Sequence, residues 1–161
     1  MTLQKADSAA IVSLSTTGQS LDELLSKEWL LTNGRGGYSS STVVGCNTRS
    51  YHALLVGSLC PPVRRVTALA NCLEMLMFPC EARTVGRPGE HAACQVRNLS
   101  TIEFDDKFEP RGYSAIRSFR RDAGVHFEYE FAECRVTKSV YLVRDADTVV
   151  LEYDFAEVSR A

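Results

Sequence analysis

EWLLTNGRGGYSSSTVVGCNTRSYHALLV, Glu28 to Val56, is the stretch from which the fold is read. It holds the only Trp, Trp29, and the glycines Gly34, Gly36, Gly37 and Gly45, with Gly57 just beyond. Glycines clustered between apolar runs mark a backbone that turns tightly or lets another group come close. From Trp29 onward the apolar residues recur at period two, so strands are predicted at 28–33, 37–45, 50–58 and 65–78. Pro61-Pro62 interrupts the chain between the last two.

Outward from this stretch, residues 1–19 are polar, small and aperiodic and read as a flexible start. Ser20-Leu-Asp-Glu23 reads as a capping box opening a short helix that ends near Lys27 and packs Leu21, Leu24 and Leu25 onto the sheet. Residues 79–91 mix turn residues and charge, which predicts a loop or poor edge strand, and strands are expected near 92–97 and 101–104. An irregular connection is expected between Asp105 and Gly112. In the last third, Val125, Phe127, Tyr129 and Phe131 alternate with His126, Glu128 and Glu130. Cys134, Val136, Val140 and Leu142 share a face of the next strand, with Lys138 the exception. Val149, Leu151, Tyr153 and Phe155 alternate likewise, and Asp122-Ala-Gly124 and Asp145-Ala-Asp147 supply the turns. Short links between alternating strands predict an antiparallel meander. The fold class is therefore all-β, an antiparallel β-sandwich with one short N-terminal helix.

The order Glu-Trp-Leu-Leu-Thr-Asn-Gly-x-Gly-Gly-Tyr from Glu28, then Thr42-Val43, then Gly45-x-Asn47-Thr48-Arg49-x-Tyr51-His52-x-Leu54-Leu55, closely resembles the N-terminal domain of bacterial and archaeal glycogen debranching enzymes of the amylo-α-1,6-glucosidase type. The resemblance continues more weakly to about Phe155. Arg35 stands where an apolar residue is usual, and Ser41 and Ala53 where Gly is usual. The resemblance implies a glucoamylase-type supersandwich preceding a catalytic (α/α)₆ barrel, which this chain lacks. It implies a domain over 20–161 that stops inside or just short of the end of the sandwich. It also implies a non-catalytic role beside that barrel, in an enzyme releasing α-1,6 branch glucose from a glycogen-like glucan. The competing reading is a free-standing carbohydrate-binding or protein-interaction module.

The chain has 161 residues, 45% hydrophobic and 24% charged, with a formal net charge of −2. That suits one domain with its own core. No basic stripe exceeds the run from Arg117 to Arg121, so no nucleic-acid partner is expected. No early apolar run suggests a secretory signal, and no stretch approaches the ~20 apolar residues of a membrane helix. The six cysteines (46, 60, 72, 80, 94 and 134) include no C-x-x-C pair and read as thiols of a cytoplasmic protein.

Gly34-Arg-Gly-Gly37 invites a phosphate-loop reading, but a β-favouring Tyr-Ser-Ser-Ser-Thr-Val-Val follows where a phosphate loop would open a helix. Asp105, Asp106, Glu109, Glu128, Glu130 and Glu133 offer no pair selected to flank a glycosidic bond at ~5–9.5 Å. Ser is abundant without a G-x-S-x-G elbow, and His52, His91 and His126 occur in unrelated contexts, so neither a nucleophilic triad nor a metal or cofactor site is expected. His126 falls on the polar face of its strand and reads as solvated. Asn, Arg, Tyr and His hydrogen-bond and stack on sugars, which makes Asn33, Asn47, Arg49, Tyr51 and His52 the substrate-binding candidates, with Trp29 offering a ring face; the competing reading makes Tyr51 and His52 satisfied core residues between Arg49 and Leu54. In a regular strand Arg49 and His52 point opposite ways, so they meet one ligand only if a bulge re-aims one of them. An unpaired sheet edge is expected to let the isolated chain associate, as a homodimer.

Overall fold

The computed structural model describes residues 12–60, 64–79 and 94–158. Their elements run β1 (Val12–Ser15), α1 (Leu21–Leu25), β2 (Glu28–Thr32), β3 (Tyr38–Thr42), β4 (Ala53–Cys60), β5 (Arg64–Leu69) and β6 (Met75–Pro79). Then follow β7 (Cys94–Asn98), β8 (Thr101–Phe104), β9 (Lys107–Arg111), a 3₁₀ turn (Gly112–Ala115), β10 (Ile116–Arg121), β11 (Val125–Glu130), β12 (Arg135–Leu142) and β13 (Val149–Ala156). One sheet has the order β1-β10-β11-β12-β13 and a second β2-β3-β4-β5, while β6-β7 and β8-β9 form separate hairpins, all pairs antiparallel. The two sheets share one core, and the all-β sandwich is as the alternation predicts.

The alternation decides which residues enter that core. On β2, Trp29 and Leu31 are buried while Glu28, Leu30 and Thr32 face out. On β11, Val125, Phe127 and Tyr129 face in, opposite Val140, Lys138 and Val136 of β12. Phe127 sits at the centre, with Trp29 edge-on at 6.3 Å from the other sheet and Phe119 at 5.3 Å within its own. Such pairs add about 0.5–1.5 kcal/mol beyond area burial. Helix α1 carries the expected capping box: Ser20 Oγ accepts from the Glu23 amide and the Glu23 carboxylate accepts from the Ser20 amide. Leu24 enters the core, and Leu21 and Leu25 pack against it.

Several expectations are corrected. Val12–Ser15, read as part of a flexible start, pairs with β10 through the register Val12↔Arg121 to Ser15↔Ser118. The strand read over 65–78 is two strands in different sheets, because Asn71 to Glu74 turn to meet Ser100: the Glu74 amide donates to Ser100 Oγ, which itself donates to Cys72 O. The irregular connection after Asp105 is a hairpin, its turn made by Asp105 and Asp106 at φ 51° and 58°. The strand expected over 50–58 starts at Ala53. The loop read over 79–91, apart from Pro79, and the Pro61-Pro62 break lie outside the described residues.

His126 is not solvated but 4% exposed. Its Nε2 lies 2.9 Å from Asp122 Oδ1 and its Nδ1 2.9 Å from Ser139 Oγ, under the Tyr141 ring. That ring closes over it because residue 124 is Gly; a Cβ there would stand 2.6 Å from Tyr141 Cδ1. Lys138, the exception in its apolar row, is tolerated inside because its ammonium lies 2.7 Å from the Glu74 carboxylate, which also accepts from the Tyr153 hydroxyl. Unpaired, a buried ammonium would cost several kcal/mol.

We expect Phe127→Ala to cost about 3–5 kcal/mol through the cavity it leaves. Phe104→Ala, at a side chain 78% exposed, should stay within about 0.5 kcal/mol. Urea unfolding of both variants checks the contrast, and equal losses would place the core elsewhere.

Candidate functional site

Asn33 follows β2 directly and is fully buried. Its Nδ2 donates to Ala146 O and Asp147 Oδ1, both at 2.9 Å, and its Oδ1 accepts from the Arg35 and Gly37 amides at 2.9 and 3.0 Å. The Gly34–Gly37 loop is thus folded around one side-chain amide and tied to the 145–147 turn. Gly37 is required there, since a Cβ would meet Asn33 Nδ2 at 2.6 Å and Asp147 Oδ1 at 2.7 Å. Two loop amides are already spent on Asn33 and strand β3 follows, so the loop is no phosphate cradle. Arg35 lies outside and reaches Asp145 O at 3.3 Å.

The second half of the motif is a turn. Thr42 Oγ1 donates to Cys46 O and accepts from the Cys46 amide, closing residues 42–46 with Gly45 at φ +69°. Asn47 joins neighbouring segments: its Nδ2 donates to Ala70 O at 3.0 Å and its Oδ1 accepts from Ser41 Oγ at 2.8 Å. Ser41 therefore supplies a hydrogen bond to this turn. The His52 amide then donates to Arg49 O at 3.0 Å, so residues 49–52 are a tight turn rather than strand. That turn resolves the facing problem read from the sequence, because both Arg49 and His52 reach one group.

The group is Glu28. Arg49 Nε donates to its Oε1 at 3.0 Å, Tyr51 Oη donates to its Oε2 at 3.1 Å, and His52 Nε2 stands 3.6 Å from Oε2. His52 Nδ1 accepts from the Thr48 amide at 3.1 Å, so the proton of the neutral ring is on Nε2. That N–H is fully buried and has no hydrogen-bond partner among the described residues. The Arg49 bond, reinforced by Tyr51 and His52, holds Glu28 below the usual carboxylate range despite desolvation. Burial lowers the His52 pKa, and the attraction of Glu28 only partly offsets it.

Three of the six candidates therefore converge and three do not. Arg49, Tyr51 and His52 meet at Glu28. Trp29 is 5% exposed, with its indole N–H on Thr42 O at 2.9 Å and its ring packed against Phe127 in the core. Asn33 and Asn47 spend their amides on the protein itself. Glu28 is the residue that sequence reasoning missed. Its signal was present: a carboxylate on the outward phase of the alternation, opening a strand whose next residue is a core Trp.

A groove of about 630 Å³ runs along the outer face of the four-stranded sheet from this cluster. Glu28, Leu30 and Thr32 line it from β2, Tyr38 and Ser40 from β3, and Tyr51, Arg65 and the Gly34–Gly37 loop close its sides. Arg65 Nε donates to Gly36 O at 3.2 Å and its guanidinium stands 5.6 Å from the Tyr38 ring centroid. Among the described residues no His, Cys, Asp and Glu group is arranged to hold a metal, and no helix is long and apolar enough to cross a membrane. Cys46 is fully buried, and burial pushes its thiol up to about 11.

Asn33→Ala should cost about 1–3 kcal/mol, because it strands the Arg35 and Gly37 amides; a urea midpoint unchanged from wild type would refute the loop's dependence on it. A pH effect follows from His52. Its folded pKa lies below the unfolded 6.5, so the unfolded chain takes up the proton first and stability falls as pH drops below about 6.5. His52→Gln should remove that part of the slope between pH 7.5 and 5 in urea titrations. The same slope in wild type and variant would show that His52 is not held neutral.

The family model described as glycogen debranching enzyme N terminal matches residues 27–161, from the residue before β2 through the last strand. No curated protein and no solved structure matches the chain. The motif that builds the Glu28 cluster and the strands that carry it lie wholly within the matched span, and the chain belongs to the family of glycogen debranching enzyme N-terminal domains.

Proposed function

We propose that this chain is the non-catalytic N-terminal domain of an amylo-α-1,6-glucosidase, a glycoside hydrolase that removes α-1,6 branch glucose from a glycogen-like glucan in the cytoplasm. In this reading it buttresses a catalytic helical barrel and shapes the rim of the substrate cleft. The observation that carries the non-catalytic part is the state of Glu28. A glycosidase general acid needs a raised pKa and a second carboxylate across the bond. Glu28 is held ionised by Arg49 and is the sole carboxylate lining its groove among the described residues. Elsewhere Arg117 lowers Glu130 and Arg97 lowers Glu133 in the same way.

Two measurements test this. The purified chain, incubated with a branched limit dextrin, should release no glucose above background; release abolished by replacing one of its carboxylates would overturn the non-catalytic role. The native polypeptide should run well above the 17.8 kDa of this sequence. A native mass near that value would favour a free-standing module instead.

A further inference from the structure

The groove beside Glu28 has the chemistry of a site for a neutral polyhydroxylated ligand. Leu30 on β2 and Tyr51 in the 49–52 turn are about half exposed on the same groove, and Tyr38 adds a third apolar surface beside Arg65. Sugar rings present C–H faces that such surfaces cover and hydroxyls that need both donors and acceptors. The walls supply both. Glu28 accepts one bond on Oε1 and one on Oε2, which leaves lone pairs for further hydroxyls. Arg49 and Arg65 use Nε within the protein, and their Nη atoms have no partner among the described residues. Glu28 is paired with Arg49, which stands beside the groove, and Arg65 is the guanidinium in its lining among the described residues, so the walls favour neither a phosphate nor a strongly cationic ligand. From Glu28 to Thr32 the groove follows β2 for about 13 Å at ~3.3 Å per residue, longer than one hexose ring.

We propose that this groove is an α-glucan subsite, in which Glu28 accepts from ring hydroxyls, the Nη groups of Arg49 and Arg65 donate to them, and Leu30, Tyr38 and Tyr51 cover the sugar faces. The buried His52 Nε2–H, 3.6 Å from Glu28 Oε2, is a reserve donor: a small inward shift of the carboxylate on binding completes that bond. That the sugar is an α-glucan rests on the function proposed above; that the groove takes a neutral polyol does not.

The test is titration of the purified chain with maltoheptaose and with cellopentaose, followed by heteronuclear NMR, for wild type, Glu28→Gln and Arg65→Ala. Circular dichroism of each variant confirms that it is folded. We expect saturable maltoheptaose binding with shifts at Leu30, Tyr38 and Tyr51, at least tenfold weaker cellopentaose binding, and at least tenfold loss in each variant. Saturable binding that both folded variants retain places the site elsewhere and overturns the proposal. No saturable binding of either sugar also overturns it, while leaving the buttressing role to the dextrin and mass measurements. Equal affinity for the two sugars retains a sugar groove but overturns its assignment to α-glucan.

Discussion

Trp29 meeting Phe127 edge to face across the sandwich is the contact on which the rest depends. It fixes the phase of β2: with Trp29 and Leu31 turned into the core, the two-residue period leaves Glu28, Leu30 and Thr32 no choice but the outer face. A one-residue slip would turn Glu28 toward Phe127 and the core and carry Trp29 into water. Apolar burial therefore orients a polar site it does not touch, and the Trp29 indole bond to Thr42 O locks β2 against the end of β3, opposite Glu28 in register.

On either side of that strand, polar side chains fold irregular backbone. Asn33 gathers the Gly34–Gly37 loop and fastens it to the 145–147 turn; Thr42 and Asn47 do the same for residues 42–52. These bonds position the two ends of the groove. They also explain why a segment dense in Asn, Thr, Ser and Gly is mostly buried: backbone groups that leave a sheet ladder inside a protein need partners, and side chains supply them. Ser41 and Ala53 sit in strands, where the backbone needs no positive φ. Among the described residues the positive-φ glycines are Gly34, Gly36 and Gly45, with Gly18 outside the motif.

The charges divide by environment. Inside, Lys138 with Glu74 and His126 with Asp122 and Ser139 are closed sets whose members satisfy one another. At the surface, Glu28 keeps open lone pairs beside exposed arginine and tyrosine. The closed sets fix how β12 packs against the 70–74 segment and how β11 turns from β10, whereas the open one faces a groove. That difference, rather than the presence of titratable groups, separates the two interior networks from the surface cluster.

The sequence by itself determined the sandwich, the capping box, the C-terminal meander and the family, because two-residue alternation, caps and motif spacing are local and act over a few residues. It also pointed to Arg49, Tyr51 and His52, whose residue types suit sugar chemistry. Only the tertiary structure decided that Asn33, Asn47 and Trp29 hydrogen-bond within the fold, that His126 is buried beside Tyr141, and that Glu28 gathers Arg49, Tyr51 and His52. The deciding bonds join residues far apart in the chain, Asn33 to Asp147 and Glu28 to Arg49 among them, and alternation specifies only which face a side chain takes. What lies across from it depends on the turn at residues 49–52 and on the second sheet, and neither is written in the spacing of any one strand.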